Sequence, residues 1–321
     1  MISYSTIGTS WITESFIEAV NLTGKAVLSS VYSRTEDGAK SFATKNGADR
    51  WYTELDEMLK ENTDFVYIAS PNTLHVEHII KVIKAKKHVF CEKPMALTEE
   101  QLQIISGLAE EENVFVFEGY RHLYSPNYEI FKNTVEKIGS VRSCVLHFNQ
   151  YSSRYDALKE GKKPNVFSKE FAGGALTDLG VYPLSMAIDM FGEPSNLDYY
   201  PVMLDNGVDG SGTLVLDYRS FVVTILCSKI TQAIMPSEIQ GEEGTITIDH
   251  IAPIRKISYY DRKNKQMNEL AVEQEEQDMV YEAEAFIQMI SESNDTTYKQ
   301  ALERSKIVVK ALEAARLKLN P

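Results

Sequence analysis

The sequence predicts an α/β protein in two parts. An N-terminal doubly wound parallel sheet is followed by a C-terminal α/β domain with one large open, mainly antiparallel sheet. Three observations carry this. Over the first 119 residues, short β-branched or aromatic runs alternate with amphipathic segments, as strands do when joined by right-handed helical crossovers. From Ser140 onward the strand-like runs follow one another without intervening helices, and Tyr218-Arg219-Ser220-Phe221 stands between two of them as a hairpin turn. The chain has 321 residues, long for one core and suited to two.

In the first part, strands are expected at Ile2–Ile7, Ala26–Tyr32, Phe65–Ala69, His88–Cys91 and Val114–Phe117, with a weaker one at Arg50–Tyr52. Helical patterns lie between them at Ile12–Asn21, Asp37–Asn46, Leu55–Glu61, Leu74–Ala85 and Thr98–Glu111. In Leu74–Ala85 the period is plain, with Val76, Ile79, Ile80 and Ile83 on one face. Six strands by residue 119 is the size of a dinucleotide-binding domain.

In the second part, residues 120–321, strands are expected at Val141–Tyr151, Leu197–Leu204, Gly212–Tyr218, Phe221–Ser228, Ser237–Gln240, Thr245–Asp249 and Arg255–Tyr260. Two helices, Asp278–Glu292 and Thr297–Leu319, close the chain and are free to pack back on the first domain, residues 1–119.

A net charge of −13 argues against a nucleic-acid or anionic-membrane partner, since both need a basic face, and leaves room for a small anionic ligand held by a few local cations. The N-terminus, MISYSTIGTS, lacks a basic segment followed by an apolar run, and no stretch reaches the ~18 apolar residues of a membrane span. Cys91, Cys144 and Cys227 are odd in number and far apart, which suits free thiols in a reducing cytoplasm. A small-molecule substrate is the expected partner.

Three stretches carry chemistry. Ser5–Thr13 reads STIGTSWIT, where a dinucleotide-binding turn would carry G-x-G-x-x-G/A. Only Gly8 is kept, with Ser10 and Thr13 at the other two positions. A helix beginning near Trp11 would still present its free amides to a pyrophosphate. The end of the second strand reads Val31-Tyr32-Ser33-Arg34-Thr35, without the acid that accepts from a ribose 2′-hydroxyl. Ser33 and Arg34 suit a 2′-phosphate instead, so NADP(H) is the expected coenzyme and NAD(H) the alternative. Read plainly, Arg34 is a solvated loop residue.

The other two stretches are FCEKPMALT, Phe90–Thr98, and FAGGALTDLGVYPLSMAIDMFG, Phe171–Gly192. Glu92 and Lys93 fall at the end of the fifth strand, where ligands sit in an open parallel sheet. Asp178 and Tyr182 are four apart and share one face of a helix. Each stretch alone also describes something ordinary: a solvated charge pair in the first, an acidic helix start with a buried tyrosine in the second.

Together, YIASPNTLHVEHIIKVIKAKKHVFCEKP and GGALTDLGVYPL resemble the Gfo/Idh/MocA family of NAD(P)-dependent oxidoreductases. The closer similarity is to the branch holding dimeric dihydrodiol dehydrogenase and glucose–fructose oxidoreductase. The resemblance covers nearly the whole chain, is densest over residues 64–98 and 164–192, and thins after about 230. It implies an N-terminal Rossmann domain and a C-terminal sheet whose face often builds a homodimer or higher homo-oligomer. It further implies that Lys93, Asp178 and Tyr182 are catalytic. Many members carry histidine where this chain has Tyr182, so the acid/base role passes to a phenol. A phenol titrates near pKa ~10, and an ammonium ~4 Å away is worth at most ~4 kcal/mol, or ~3 pKa units, toward ionising it. Asp178 would orient Lys93 or a substrate hydroxyl.

Cofactor contacts are expected from Gly8, Thr9, Ser10, Trp11, Ile12, Ser33, Arg34, Ser70, Pro71, Asn72, His75, Glu92 and Lys93. The resemblance puts Pro71, Asn72 and His75 near the nicotinamide ribose, although His75 is also an ordinary first-turn residue. Tyr120-Arg121-His122 resembles the branch's Tyr-Arg-x-His stretch, with Arg121 either touching substrate or stapling the domains. Arg154–Ser168 reads as a long polar loop in which Asn165 and Phe167 are substrate candidates, or as plain surface. The spacings of His75, His78, His88 and Cys91 suggest a metal only superficially, since a sheet-covering helix and a buried strand separate their side chains. No metal is expected. Two rival functions keep the same fold: a non-catalytic nucleotide sensor, and a redox-neutral epimerase or glycosidase with bound coenzyme.

Overall fold

The computed structural model describes residues 1–319. The chain divides into two compact units, residues 1–119 with 275–305, and residues 120–274 with the segment from Lys306 on. In the first unit the order is β1 (Ile2–Ile7), α1 (Trp11–Thr23), β2 (Ala26–Tyr32), α2 (Glu36–Asn46), β3 (Arg50–Tyr52), α3 (Leu55–Met58), β4 (Phe65–Ile68), α4 (His75–Lys84), β5 (His88–Glu92), α5 (Glu99–Glu111) and β6 (Val116–Gly119). The strands form one parallel sheet in the order β3-β2-β1-β4-β5-β6. Strand order reverses between β1 and β4, which opens a crevice beyond their carboxyl ends. Beneath it, Tyr4 stacks on Phe65 with ring centroids 5.0 Å apart, and Phe16 stacks on Tyr67 at 3.7 Å. All four side chains are buried, each contributing roughly 2–3 kcal/mol by leaving water.

α3 is shorter than its sequence pattern. Glu61 leaves the helix because Arg50 and Tyr52 bind its carboxylate and Lys87 Nζ donates to its carbonyl oxygen.

The second unit adds α6 (Pro126–Val135), β7 (Val141–Asn149), α7 (Ser153–Lys159), a π-helical turn (Leu176–Gly180), α8 (Val181–Phe191), β8 (Asn196–Met203), β9 (Asp209–Asp217), β10 (Val222–Ser228), β11 (Ser237–Gly241), β12 (Gly244–Ile248), β13 (Ile257–Asp261) and β14 (Gln266–Glu269). Its eight strands lie in the order β14-β13-β12-β11-β7-β10-β9-β8. Only β7 and β10 pair in parallel; the other neighbours are antiparallel. β9 and β10 are joined by the expected hairpin, in which Tyr218 N–H donates to Phe221 O at 3.0 Å. One face of the sheet, with Leu214, Leu216, Ile225 and Ile239, is buried in a core that includes Phe131, Leu184 and Ile188. On the other face Val145, Thr213, Val215, Thr224 and Leu226 stay partly exposed.

The second unit corrects the expectation of strands without helices, since α7, the π turn and α8 stand between β7 and β8. α6 starts where Ser125 Oγ accepts from Tyr128 N–H at 3.2 Å and Pro126 takes the first helical position, a combination that favours helix initiation.

The chain ends with α9 (Met279–Ser291) and α10 (Asp295–Arg316). α9 packs on α1 in the first unit, and Phe286 brings its ring within 5.1 Å of Phe65 and 5.3 Å of Phe90 and Phe117, between centroids. α10 serves both units. Tyr298 stacks on Phe115 in the first at 4.5 Å, while Val308 and Leu312 belong to the core of the second. Among the described residues, no helix is long and apolar enough to cross a membrane.

Candidate active site

At the crevice β1 gives way to a turn that only glycine fits. Gly8 has φ +114°, and a β-carbon there would stand 2.7 Å from the Ala69 carbonyl oxygen. Gly8 N–H donates to Tyr32 O at 3.3 Å, tying the turn to the end of β2. Ser10 caps α1 with extended backbone, and its hydroxyl makes no capping bond. It lies 3.5 Å from Oγ1 of Thr13, which is buried beneath the turn. The first amides of α1 are therefore left to a ligand.

A cavity of about 260 Å³ opens above this turn, lined by Gly8, Thr9, Ser10, Ser33, Arg34, Ser70 and Pro71 among the expected cofactor residues. Arg34 is exposed and is the cation of that lining. The donor set matches a dinucleotide: bare backbone at Gly8 for the pyrophosphate, and a hydroxyl and guanidinium where a 2′-phosphate would stand.

Trp11, Ile12, Asn72, His75, Glu92 and Lys93 do not line this cavity. Trp11 is exposed, Ile12 half-buried, and Asn72 begins a 3-10 turn. His75 is buried, its ring nitrogens 2.7 Å from Ser70 O and 2.8 Å from Pro94 O. It thereby links the backbone of the cavity wall to the residue after Lys93, and burial holds its pKa below the usual histidine range. Glu92 Oε1 accepts from the buried Tyr67 hydroxyl at 2.7 Å.

Sequence reasoning missed Tyr32, Ala69, Ile7, Leu74 and His78 in this lining. The first two were in reach, being the residues where β2 and β4 run out at the switch point. His78 Nδ1 lies 2.9 Å from Ser70 Oγ, and burial lowers its pKa to about 4.

The other expected residues lie in the second unit. Asp178 is on the π turn rather than on a regular α-helix, a form that recurs at functional sites. Its Oδ2 is ion-paired with Lys229, a residue sequence reasoning passed over. The Tyr182 ring is flanked by His122, 5.0 Å away, and Phe148, 5.2 Å away, with the Arg121 guanidinium 5.9 Å from its centroid. His122 Nε2 donates to the Tyr182 carbonyl oxygen at 2.9 Å. The polar stretch at 154–168 opens with α7 instead of a loop. Phe167 is buried, 5.7 Å from the Tyr155 ring and 5.2 Å from Lys229 Nζ, whereas Asn165 is exposed. Among the described residues, no three His, Cys, Asp or Glu side chains are grouped to hold a metal.

A family model described as an oxidoreductase family with an NAD-binding Rossmann fold matches residues 2–120, and the GFO/IDH/MocA C-terminal domain model matches residues 134–247. The scyllo-inositol 2-dehydrogenase (NADP(+)) IolU of Bacillus subtilis (strain 168) is 37% identical over 100% of this chain and 98% of its own length. The chain belongs to the Gfo/Idh/MocA family. It is an NAD(P)-dependent oxidoreductase. Its Gfo/Idh/MocA relatives include trans-1,2-dihydrobenzene-1,2-diol dehydrogenase of Xenopus tropicalis, 28% identical over 68% of this chain and 66% of the relative. The 3-ketoreductase KijD10 of Actinomadura kijaniata, solved with NADP and TDP-benzene, superposes with a TM-score of 0.85 at 20% identity over 98% of this chain and 97% of that one. That likeness shows the shared fold.

Proposed function

We propose that the protein is an NADP(H)-dependent oxidoreductase acting on a secondary alcohol or carbonyl of a cyclitol, sugar, polyol or dihydrodiol. The observation that carries the coenzyme choice is the cavity wall formed by Ser33 and Arg34, which offers a hydroxyl and a cation at the end of β2. The relatives support the substrate class, since one is named for scyllo-inositol and NADP(+) and another for a dihydrodiol.

When bound, the nicotinamide coenzyme supplies or accepts the hydride. The proton is the chain's own task. Tyr182 takes it from the hydroxyl in oxidation and returns it to the carbonyl in reduction, with Lys93 as the second member of the proposed acid–base pair. Asp178 orients the group that donates or receives it. Arg121 and Phe167 are the proposed substrate contacts. The partly exposed sheet face is proposed as the surface of a homodimer or higher homo-oligomer, and the free thiols fit the cytoplasm.

The test is a coenzyme titration followed by a screen of cyclitols, sugars and diols with wild type, Lys93→Met and Tyr182→Phe. NADP(H) should be preferred, and each substitution should lower kcat by roughly 10²–10⁴-fold while leaving coenzyme binding in place for Tyr182→Phe. Unimpaired turnover in both variants would refute the acid–base assignment, and a clear NAD(H) preference would refute the coenzyme.

A further inference from the structure

Lys229 directly follows β10, and its backbone is held on both sides. Its N–H donates to Gly210 O at 2.8 Å, and its carbonyl oxygen accepts from Ser152 N–H at 2.9 Å. The side chain turns inward and is 3% exposed, with its ammonium on Asp178 Oδ2 and 5.2 Å from the Phe167 ring centroid. The Asp178 side chain is 33% exposed. The pair therefore has a buried cation and a half-buried anion.

This polarity is informative. Burying an ammonium costs more than an ion pair usually returns, and an apolar pair of similar size would stabilise the fold as well. A lysine in this place is explained better by what it holds than by stability. The surroundings hold the π turn equally closely. A β-carbon at Gly180 would lie 3.1 Å from Cys227 Sγ, so the end of the turn rests directly on β10. At its start, Leu176 N–H donates to Asp209 Oδ2 at 2.7 Å, and the Tyr199 hydroxyl donates to the same oxygen at 2.6 Å. β9 grips one end of the turn, β10 the other, and Lys229 grips the carboxylate between.

We infer that Lys229 is the positioning residue for Asp178, fixing the rotamer and charge with which that carboxylate meets substrate. This rests on the reading of Asp178 as part of the oxidoreductase site. Lys229 touches neither substrate nor coenzyme and acts through Asp178.

The experiment compares Lys229→Met, Lys229→Arg, Asp178→Asn and the Asp178→Asn/Lys229→Met double variant, with crystal structures of wild type and Lys229→Met. Lys229→Met should lower kcat about 10–100-fold, the loss typical of a misplaced group, with the KM for coenzyme unchanged. Lys229→Arg should recover most of the activity, because a guanidinium can meet the same oxygen. In the Asp178→Asn background, Lys229→Met should change kcat by no more than about twofold, and in the Lys229→Met crystal the Asp178 carboxylate should leave its wild-type rotamer. A kcat within twofold of wild type in Lys229→Met, multiplying losses in the double variant, or an unmoved Asp178 would each overturn the inference. If wild type oxidises no alcohol yet Asp178 moves in Lys229→Met, the oxidoreductase reading fails and the positioning role stands.

Discussion

Gly8 and Ala69 meet at the switch point of the first sheet so closely that a β-carbon on residue 8 would stand 2.7 Å from the Ala69 carbonyl oxygen. The backbone of both loops is thus bare where a phosphate would approach. Gly8→Ala combines this clash with an unfavourable φ and should cost about 1–3 kcal/mol of stability. It should also weaken NADPH binding at least ~10-fold, about the free energy of one lost charge-assisted hydrogen bond. Urea unfolding and a fluorescence titration measure the two. Normal binding by a destabilised variant would remove the pyrophosphate from this turn.

Arg34→Ala should reduce the ratio of kcat/KM for NADP(H) over NAD(H) by about 10–100-fold, since a hydrogen bond to a charged group is worth ~1.5–3 kcal/mol. Ser10→Glu places a like charge beside the phosphates and should abolish binding of both coenzymes. An unchanged ratio in Arg34→Ala would mean the guanidinium remains in solvent.

His78 supplies a pH dependence. Burial lowers its pKa to about 4 from an ordinary 6.5, so the folded ring stays neutral while the unfolded one takes a proton. The unfolded state then binds more protons below pH 6.5. Stability is fully present above that pH and falls as pH drops toward 4, by up to ~3 kcal/mol. His78→Gln, which can still meet Ser70 Oγ, should flatten this slope in urea midpoints measured from neutral to acid pH. A slope equal to that of wild type would assign the loss to other groups, such as the buried His75 and the half-buried His88, whose pKa values burial also lowers.

Asn127 is a buried bracket in the second unit. Its Nδ2 donates to Ile254 O and Val272 O, both at 3.0 Å, and its Oδ1 accepts from Val272 N–H at 2.8 Å. Asn127→Ala leaves the Val272 N–H and carbonyl without this partner, while Ile254 O keeps its bond from Gln274 Nε2 at 2.9 Å, and should cost ~1–3 kcal/mol. A drop in Tm with unchanged coenzyme affinity is the expected result, and an unshifted Tm would show that the backbone groups find other partners.

What was legible in the sequence was whatever the chain states locally. Val76, Ile79, Ile80 and Ile83 mark α4 by their period, and the β1 and β2 runs end at Gly8 and Ser33, two residues of the cavity lining. β14 left no trace because all four of its residues are exposed and carry no apolar alternation. The π turn was invisible because its extra residue is set by contacts with β9 and β10. Lys229 was out of reach for the same reason. Its partner is 51 residues away, and nothing in Ser228-Lys229-Ile230 signals an ion pair until β10 is laid beside the turn.

Phe286 has a consequence for how the protein is made. Its ring completes the cluster of Phe65, Phe90 and Phe117, although those three are synthesised about two hundred residues earlier. The first half to leave the ribosome therefore waits, with an unfinished apolar core, until nearly the whole chain has been translated. A gene cut after Gly119 would encode every strand of the coenzyme sheet and still yield a sticky, incomplete body.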